Sequence, residues 1–160
     1  SGGLLSDADT FPTAREKYKK ALEQFTEISR KFPRTTAAAV ARYHVGVCQA
    51  ELGSQAEALK TLQEASRTSD REISSLAKFA LANELVKIGK TQEAVKSYQD
   101  LADHPTLTVP KAAALFAMAD AYRASQPARA RQIYEQLQKD RNTDATLAQA
   151  IRQQIASLPQ

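Results

Sequence analysis

Tryptophan is absent from this chain, and cysteine, methionine, glycine and proline are scarce: one Cys, one Met, five Gly and six Pro in 160 residues. A single cysteine, Cys48, excludes an intramolecular disulfide, and its alanine-rich surroundings suit a small buried hydrophobe in either redox compartment. Valine and isoleucine together number 12, too few for a sheet built on β-branched residues. The longest apolar run, Ala112 to Ala119, is 8 residues. A membrane-spanning helix requires roughly 20. Residues 1–5 read as the start of a trimmed or processed chain, with neither a charged leader nor a long apolar signal core, so they encode no localisation. Alanine is what the chain has in excess. It occurs 29 times, and it loses no side-chain entropy in a helix, so the balance favours an all-α protein. A chain of this length typically buries about 68–70% of its unfolded surface, enough for a core without a disulfide or metal.

Two residue series repeat along the sequence. Ala21, Phe25 and Ile28 recur as Ala58, Leu62 and Ala65, as Ala94, Tyr98 and Leu101, and as Ala130, Tyr134 and Leu137, with alanine spacings of 37, 36 and 36. The second series is Tyr43, Val45 and Gly46, then Phe79, Leu81 and Ala82, then Phe116, Met118 and Ala119, at spacings of 36 and 37. Two interleaved series with one period describe a two-helix unit repeated in tandem, because a lone amphipathic helix has no such long-range register. The small residues Gly46, Ala82 and Ala119, facing Ala58, Ala94 and Ala130, let paired helix axes approach to about 8–10 Å.

The punctuation divides the chain in the same way. Gly53 and Gly89 suit left-handed C-terminal caps, Ser54 with Glu57 and Ser69 with Glu72 have the spacing of capping boxes, and Pro110 and Pro127 fit first-turn positions. The step from Ala119 to Ala130 is 11 residues, against 12 from Gly46 to Ala58 and from Ala82 to Ala94, which predicts a turn one residue shorter. Helices are expected at 13–32, 36–52, 55–68, 72–88, 91–102, 110–124, 127–140 and 144–158. This order is half a repeat, three helical hairpins and a C-terminal capping helix with Leu147, Ile151, Ile155 and Leu158 on its inner side. One domain over residues 13–158 follows a flexible segment, 1–12.

The string GVCQAELGSQAEALKTLQEA, from Gly46 to Ala65, resembles a tetratricopeptide repeat, and the units around Gly89 and Tyr122 are similar. Arg42 and Lys78 stand where that family has a bulky first-helix residue, and Ala82 and Ala119 where it has glycine. The resemblance covers residues 14–140 and implies a right-handed solenoid of about eight helices. More narrowly, Phe32, Pro33, Tyr43, His44, Val45 and Gly46 resemble bacterial envelope proteins related to the Tol-Pal cell-division coordinator and the ancillary translocon subunit. Membership would imply a place on the periplasmic side of the envelope, free or held by a span upstream, and a role as adaptor or chaperone-like binder.

A stacked array of hairpins curves so that its first helices line the inner face. By register that face displays Val40, Tyr43, Val47, Leu76, Phe79, Asn83, Val86, Ala113, Phe116, Asp120 and Arg123, with Tyr43, Phe79 and Phe116 forming a repeat-spaced ladder. Such a surface suits an amphipathic helix or an extended apolar peptide, and the competing reading is that the rings simply pack between hairpins. A clamp for a terminal carboxylate would have only Asn83, Lys87 and Arg123, opposed by Asp120. In the first helix Tyr18, Leu22, Phe25 and Phe32 form an apolar stripe with one neighbour in sequence, which predicts contact with an upstream segment or with a second copy. Leu4 and Leu5 are expected to cover part of that stripe.

Charge is uneven. The formal total is +4, yet residues 15 to 42 hold eight Lys or Arg against three Glu. Arg15, Lys17, Lys19, Lys20, Arg30, Lys31 and Arg34 suit an anionic membrane surface as an alternative mode of action. Nucleic acid is not expected, since Glu16, Glu23 and Glu27 interrupt the charges and no aromatic reader accompanies them. His44 and Cys48 share a helix face but are two ligands where a metal site needs three or four, and no phosphate loop or nucleophile elbow occurs. The reading is a non-enzymatic protein-binding scaffold without cofactor or metal.

Overall fold

A computed structural model describes residues 13–159 of the chain. The described residues are all-helical: α1 (Ala14–Lys31), α2 (Thr36–Glu51), α3 (Gln55–Ala65), α4 (Arg71–Lys87), α5 (Thr91–Asp103), α6 (Lys111–Tyr122), α7 (Pro127–Lys139) and α8 (Ala145–Ala156). Every expected helix is present, and the ends differ by three residues or fewer. The expected segment 1–12, with Leu4 and Leu5, lies outside the described residues.

The chain separates into two compact units, with the boundary between Ala77 and Lys78 inside α4. In the first unit α1 packs on α2 and α2 on α3. Its core is made largely of small side chains: Ala38, Ala39, Ala41, Val45 and Cys48 of α2, Ala58, Leu62 and Ala65 of α3, and Ile73 and Ala77 of α4. Gly46 is buried against Leu62, so that a β-carbon at 46 would come within 2.7 Å of the Leu62 side chain. The close approach expected of the small residues is therefore real at this position. No side chain of α1 is fully buried.

In the second unit α5 packs on α6, α6 on α7 and α7 on α8. Its core is larger in its residues: Tyr98, Tyr122 and Tyr134 are buried together with Leu101, Met118, Ile133, Leu137 and Ile151. The alanine series Ala82, Ala94, Ala119 and Ala130 is fully buried as well. Arg129 from α7 lies over the Tyr122 ring, 4.6 Å from its centroid.

The helix ends correct several expectations. Gly53 and Gly89 do take the left-handed conformation, with φ of 82° and 81°. The capping boxes do not form. Ser54 makes no side-chain cap, with φ −80° and ψ 66°, and α4 is capped by Asp70, whose carboxylate accepts from the amides of Glu72 and Ile73 at 3.0 and 3.1 Å. Pro127 occupies the first turn of α7, but Pro110 precedes α6 as its N-cap. The deleted residue is taken from helix and not from turn: α6 stops at Tyr122, and residues 123–126 connect it to α7, one more than in 52–54 or 88–90. No glycine ends α6, whose C-cap Arg123 stays right-handed.

Candidate functional site

The inner-face register distributes its residues between the two units. Tyr43, Val47 and Leu76 belong to the first and are half-buried, while Val40 is exposed. The Tyr43 ring lies 4.9 Å from that of His44, and burial raises its phenol pKa above the usual value. His44 in turn stacks on Phe25 of α1 at 4.6 Å between ring centroids, and burial holds its imidazole below the usual pKa. Cys48 is a buried thiol with its pKa raised, chiefly by burial and then by the charge of Glu51. His44 and Cys48 are thus both absorbed in packing.

The second unit holds an open trough of about 550 Å³. One wall is Phe79 and Asn83 of α4, the floor is Ala113, Phe116, Ala117 and Asp120 of α6, and the other wall is Thr146, Leu147 and Ala150 of α8 with its N-cap Asp144. Alanine at 113, 117 and 150 gives the surface its depth, since larger side chains there would fill it. Phe79, Asn83, Phe116 and Asp120 are brought together as the register predicts. Val86 does not line the trough, and Arg123 turns into an adjoining pocket where its Nη2 donates to Ser157 Oγ at 2.8 Å.

A repeated device beneath the trough sets its polar groups. Tyr98 donates from its hydroxyl to Asn83 Oδ1 at 2.6 Å, and Tyr134, one repeat later, donates to Asp120 Oδ1. The same rings hold the aromatic wall: Phe79 meets Tyr98 edge-on at 5.7 Å, and Phe116 meets Tyr134 edge-on at 5.6 Å. Each tyrosine therefore fixes one ring and one polar side chain of the lining. The pKa of Asp120 is raised, because desolvation outweighs the Tyr134 hydrogen bond and the nearby Arg123 charge. The Tyr134 phenol is held well above its ordinary value by burial first, then by its hydrogen bond to Asp120. Tyr98 is raised by burial, then by the charges of Asp120 and Glu84.

The clamp residues do not converge. Lys87 Nζ pairs with buried Glu84 at 2.6 Å, Asn83 is committed to Tyr98, and Arg123 to Ser157. The α8 wall is not legible in the sequence, where the helix reads as a cap turned to the core. Ile151 and Leu158 do point to the core, but Leu147 is half-buried and lines the trough. Tyr98 and Tyr134 carried a visible signal: they follow Asn83 and Asp120 by 15 and 14 residues, each on the partner helix of a hairpin.

In the first helix Tyr18, Leu22 and Phe25 are half-buried, and Phe32 is 55% exposed. Of the basic residues, Lys31 pairs with Glu27 at 2.6 Å in an exposed contact.

A family model described as tetratricopeptide repeat matches residues 11–71 and again 79–145. One match falls in each compact unit. No curated protein and no solved structure is a match.

Proposed function

We propose that this chain, which belongs to the tetratricopeptide repeat family, is a binding scaffold that holds a segment of another protein in the trough of its second unit. Tetratricopeptide repeats generally mediate protein–protein interactions and are typically non-enzymatic. The observation that carries the finer reading is the trough itself: apolar rings and alanines from three helices, with a few polar groups fixed from below. Recognition surfaces of this kind combine a preformed apolar surface with a small number of placed polar atoms. The lining is preorganised, since Tyr98 and Tyr134 hold their partners before any ligand arrives, which lowers the ordering cost of binding.

Filling the trough tests this without touching the core. Ala117 is half-buried on the floor, so Ala117→Trp should keep the fold and occlude the surface. Peptides selected from a displayed random library on the wild-type protein should lose binding to this variant. If the selected peptides bind both proteins alike, or if none is enriched, the trough is not the binding surface.

A second surface is favoured by α1, the helix of the first unit with no buried side chain. Its stripe of Tyr18, Leu22, Phe25 and Phe32 supports contact with an upstream segment or a second copy, and its basic residues support apposition to anionic lipid. Light scattering over a concentration series, repeated on Tyr18→Glu with Leu22→Glu, distinguishes these: self-association abolished by the pair supports the second copy, and a wild-type monomer at every concentration removes it. A place in the bacterial envelope belongs to the same proposal and rests only on the string from Phe32 to Gly46.

A further inference from the structure

We infer that the occupant of the trough is a protein segment that sets an arginine or lysine beside a large apolar side chain, the cation being read by Asp120 and Asp144 together. The inference rests on the trough being the binding surface and adds the chemistry of what binds there.

The polar groups of the lining are unequal in sign. Asp120 and Asp144 are carboxylates, Asn83 and Thr146 are neutral, and no cation is among the lining residues. Each carboxylate has one oxygen engaged by the protein: Asp120 Oδ1 by the Tyr134 hydroxyl, and Asp144 Oδ1 by the amide of Leu147 at 2.8 Å. These bonds fix both side chains and leave a second oxygen on each to meet a ligand. Arg123, the nearest cation on α6, lines the adjoining pocket with Asp120 and its charge lowers that carboxyl's pKa, but its Nη2 donates to Ser157 Oγ and it does not line the trough.

The energetics favour a cation over a neutral partner by exclusion as well as attraction. A segment that laid its apolar side chain against Phe79, Phe116 and Leu147 would strip water from the two carboxylates. An ionised carboxylate stripped of water without a sufficient counter-charge is strongly penalised. A guanidinium or ammonium beside the apolar anchor removes that penalty and adds charge-assisted hydrogen bonds, whereas an acidic residue there doubles the repulsion. In the free protein Asp120 and Asp144 are both exposed, so the penalty arises only when a segment covers them. An acidic or wholly apolar segment would therefore be rejected by the same site that accepts a cationic one.

The test uses three blocked peptides, Leu-Arg-Leu, Leu-citrulline-Leu and Leu-Glu-Leu, titrated into the isotopically labelled whole chain at low salt. Citrulline keeps the shape of arginine and removes its charge. Backbone amide shifts of Ala117 and Leu147 report occupancy. The arginine peptide should bind about tenfold more tightly than the citrulline peptide, equivalent to ~1.4 kcal/mol, and the glutamate peptide most weakly. In a variant carrying Asp120→Asn and Asp144→Asn the ratio should fall to about one, because both replacements keep the acceptor that Tyr134 or the α8 amide uses. Equal binding of the arginine and citrulline peptides to the wild type, or a ratio that survives in the variant, overturns the charge reading while leaving the trough as the site. Failure of all three peptides to move Ala117 and Leu147 overturns the trough itself.

Discussion

At matching register the two units solve the same packing problem with different residues. In the first unit the pair at the positions expected to face inward is Tyr43 and Val47, the small residue between them is Gly46, and the side chain packed on that glycine is Leu62. In the second unit the corresponding sets are Phe79, Asn83, Ala82 and Tyr98, then Phe116, Asp120, Ala119 and Tyr134. In the first unit the valine and leucine positions of this set are both apolar. In the second, a buried phenol at the leucine position reaches a polar side chain at the valine position, and glycine has become alanine. The differences are correlated: a tyrosine hydroxyl in a core needs an acceptor, and Asn83 and Asp120 supply it. The polar lining of the trough therefore depends on the core beneath it. Only the unit with tyrosines underneath can hold an amide and a carboxylate in place.

The largest effect that tests this is removal of a tyrosine. Tyr134 is fully buried, so Tyr134→Ala should cost about 3–5 kcal/mol in urea unfolding, in the range for deleting a buried aromatic ring. Tyr134→Phe keeps the ring against Phe116 and loses only the bond to Asp120, which should cost about 1 kcal/mol. Equal losses for the two variants would mean that the hydroxyl and not the ring secures this site. Hydrogen bonding, and not ring packing, would then be what separates the two units.

A smaller effect is expected at the glycine of the first unit. Gly46→Ala gains ~1 kcal/mol of helix propensity but drives a β-carbon into Leu62, for a net loss of about 1–2 kcal/mol. The clash atoms belong to one side chain, so in a Leu62→Ala background the same replacement should become neutral or stabilising. A double-mutant cycle measures this coupling directly. If Gly46→Ala costs the same in both backgrounds, the leucine is not the reason for the glycine.

The fold was legible because two series with one period leave few arrangements open. Its caps were less so. A capping box is a spacing, and spacing does not report that Ser54 lies outside the extended backbone region or that Asp70, one residue past Ser69, offers a carboxylate to two amides. The short third hairpin misled for a related reason: sequence gives the distance from Ala119 to Ala130 but not how it divides between helix and turn. In the trough, register placed Phe79, Asn83, Phe116 and Asp120 on one face, since first helices of successive repeats present equivalent positions. It could not place Leu147 and Ala150, because α8 carries no member of either repeated series. Nor could it show that Arg123, at the right spacing, would swing to Ser157 at the end of α8. Side-chain direction at a helix end depends on what packs beyond it.

The smallest expected effect concerns Asp120, and its sign separates binding from stability. The folded-state pKa of Asp120 is raised above the ordinary carboxylate value, with desolvation the first cause. A carboxyl whose pKa rises on folding favours the folded state while protonated, and that contribution is lost as pH climbs through the folded value. At neutral pH the ionised group is therefore a net burden on the fold, and Asp120→Asn should relieve it while still accepting from Tyr134. The variant should melt at the same temperature as the wild type near about pH 3 and above it near about pH 7. A variant less stable than the wild type at neutral pH would show that Tyr134 and Arg123 together outweigh the desolvation. Higher stability coupled to weaker binding of the arginine peptide would instead mark Asp120 as a residue whose charge is held against the preference of the fold, as a site for cations requires.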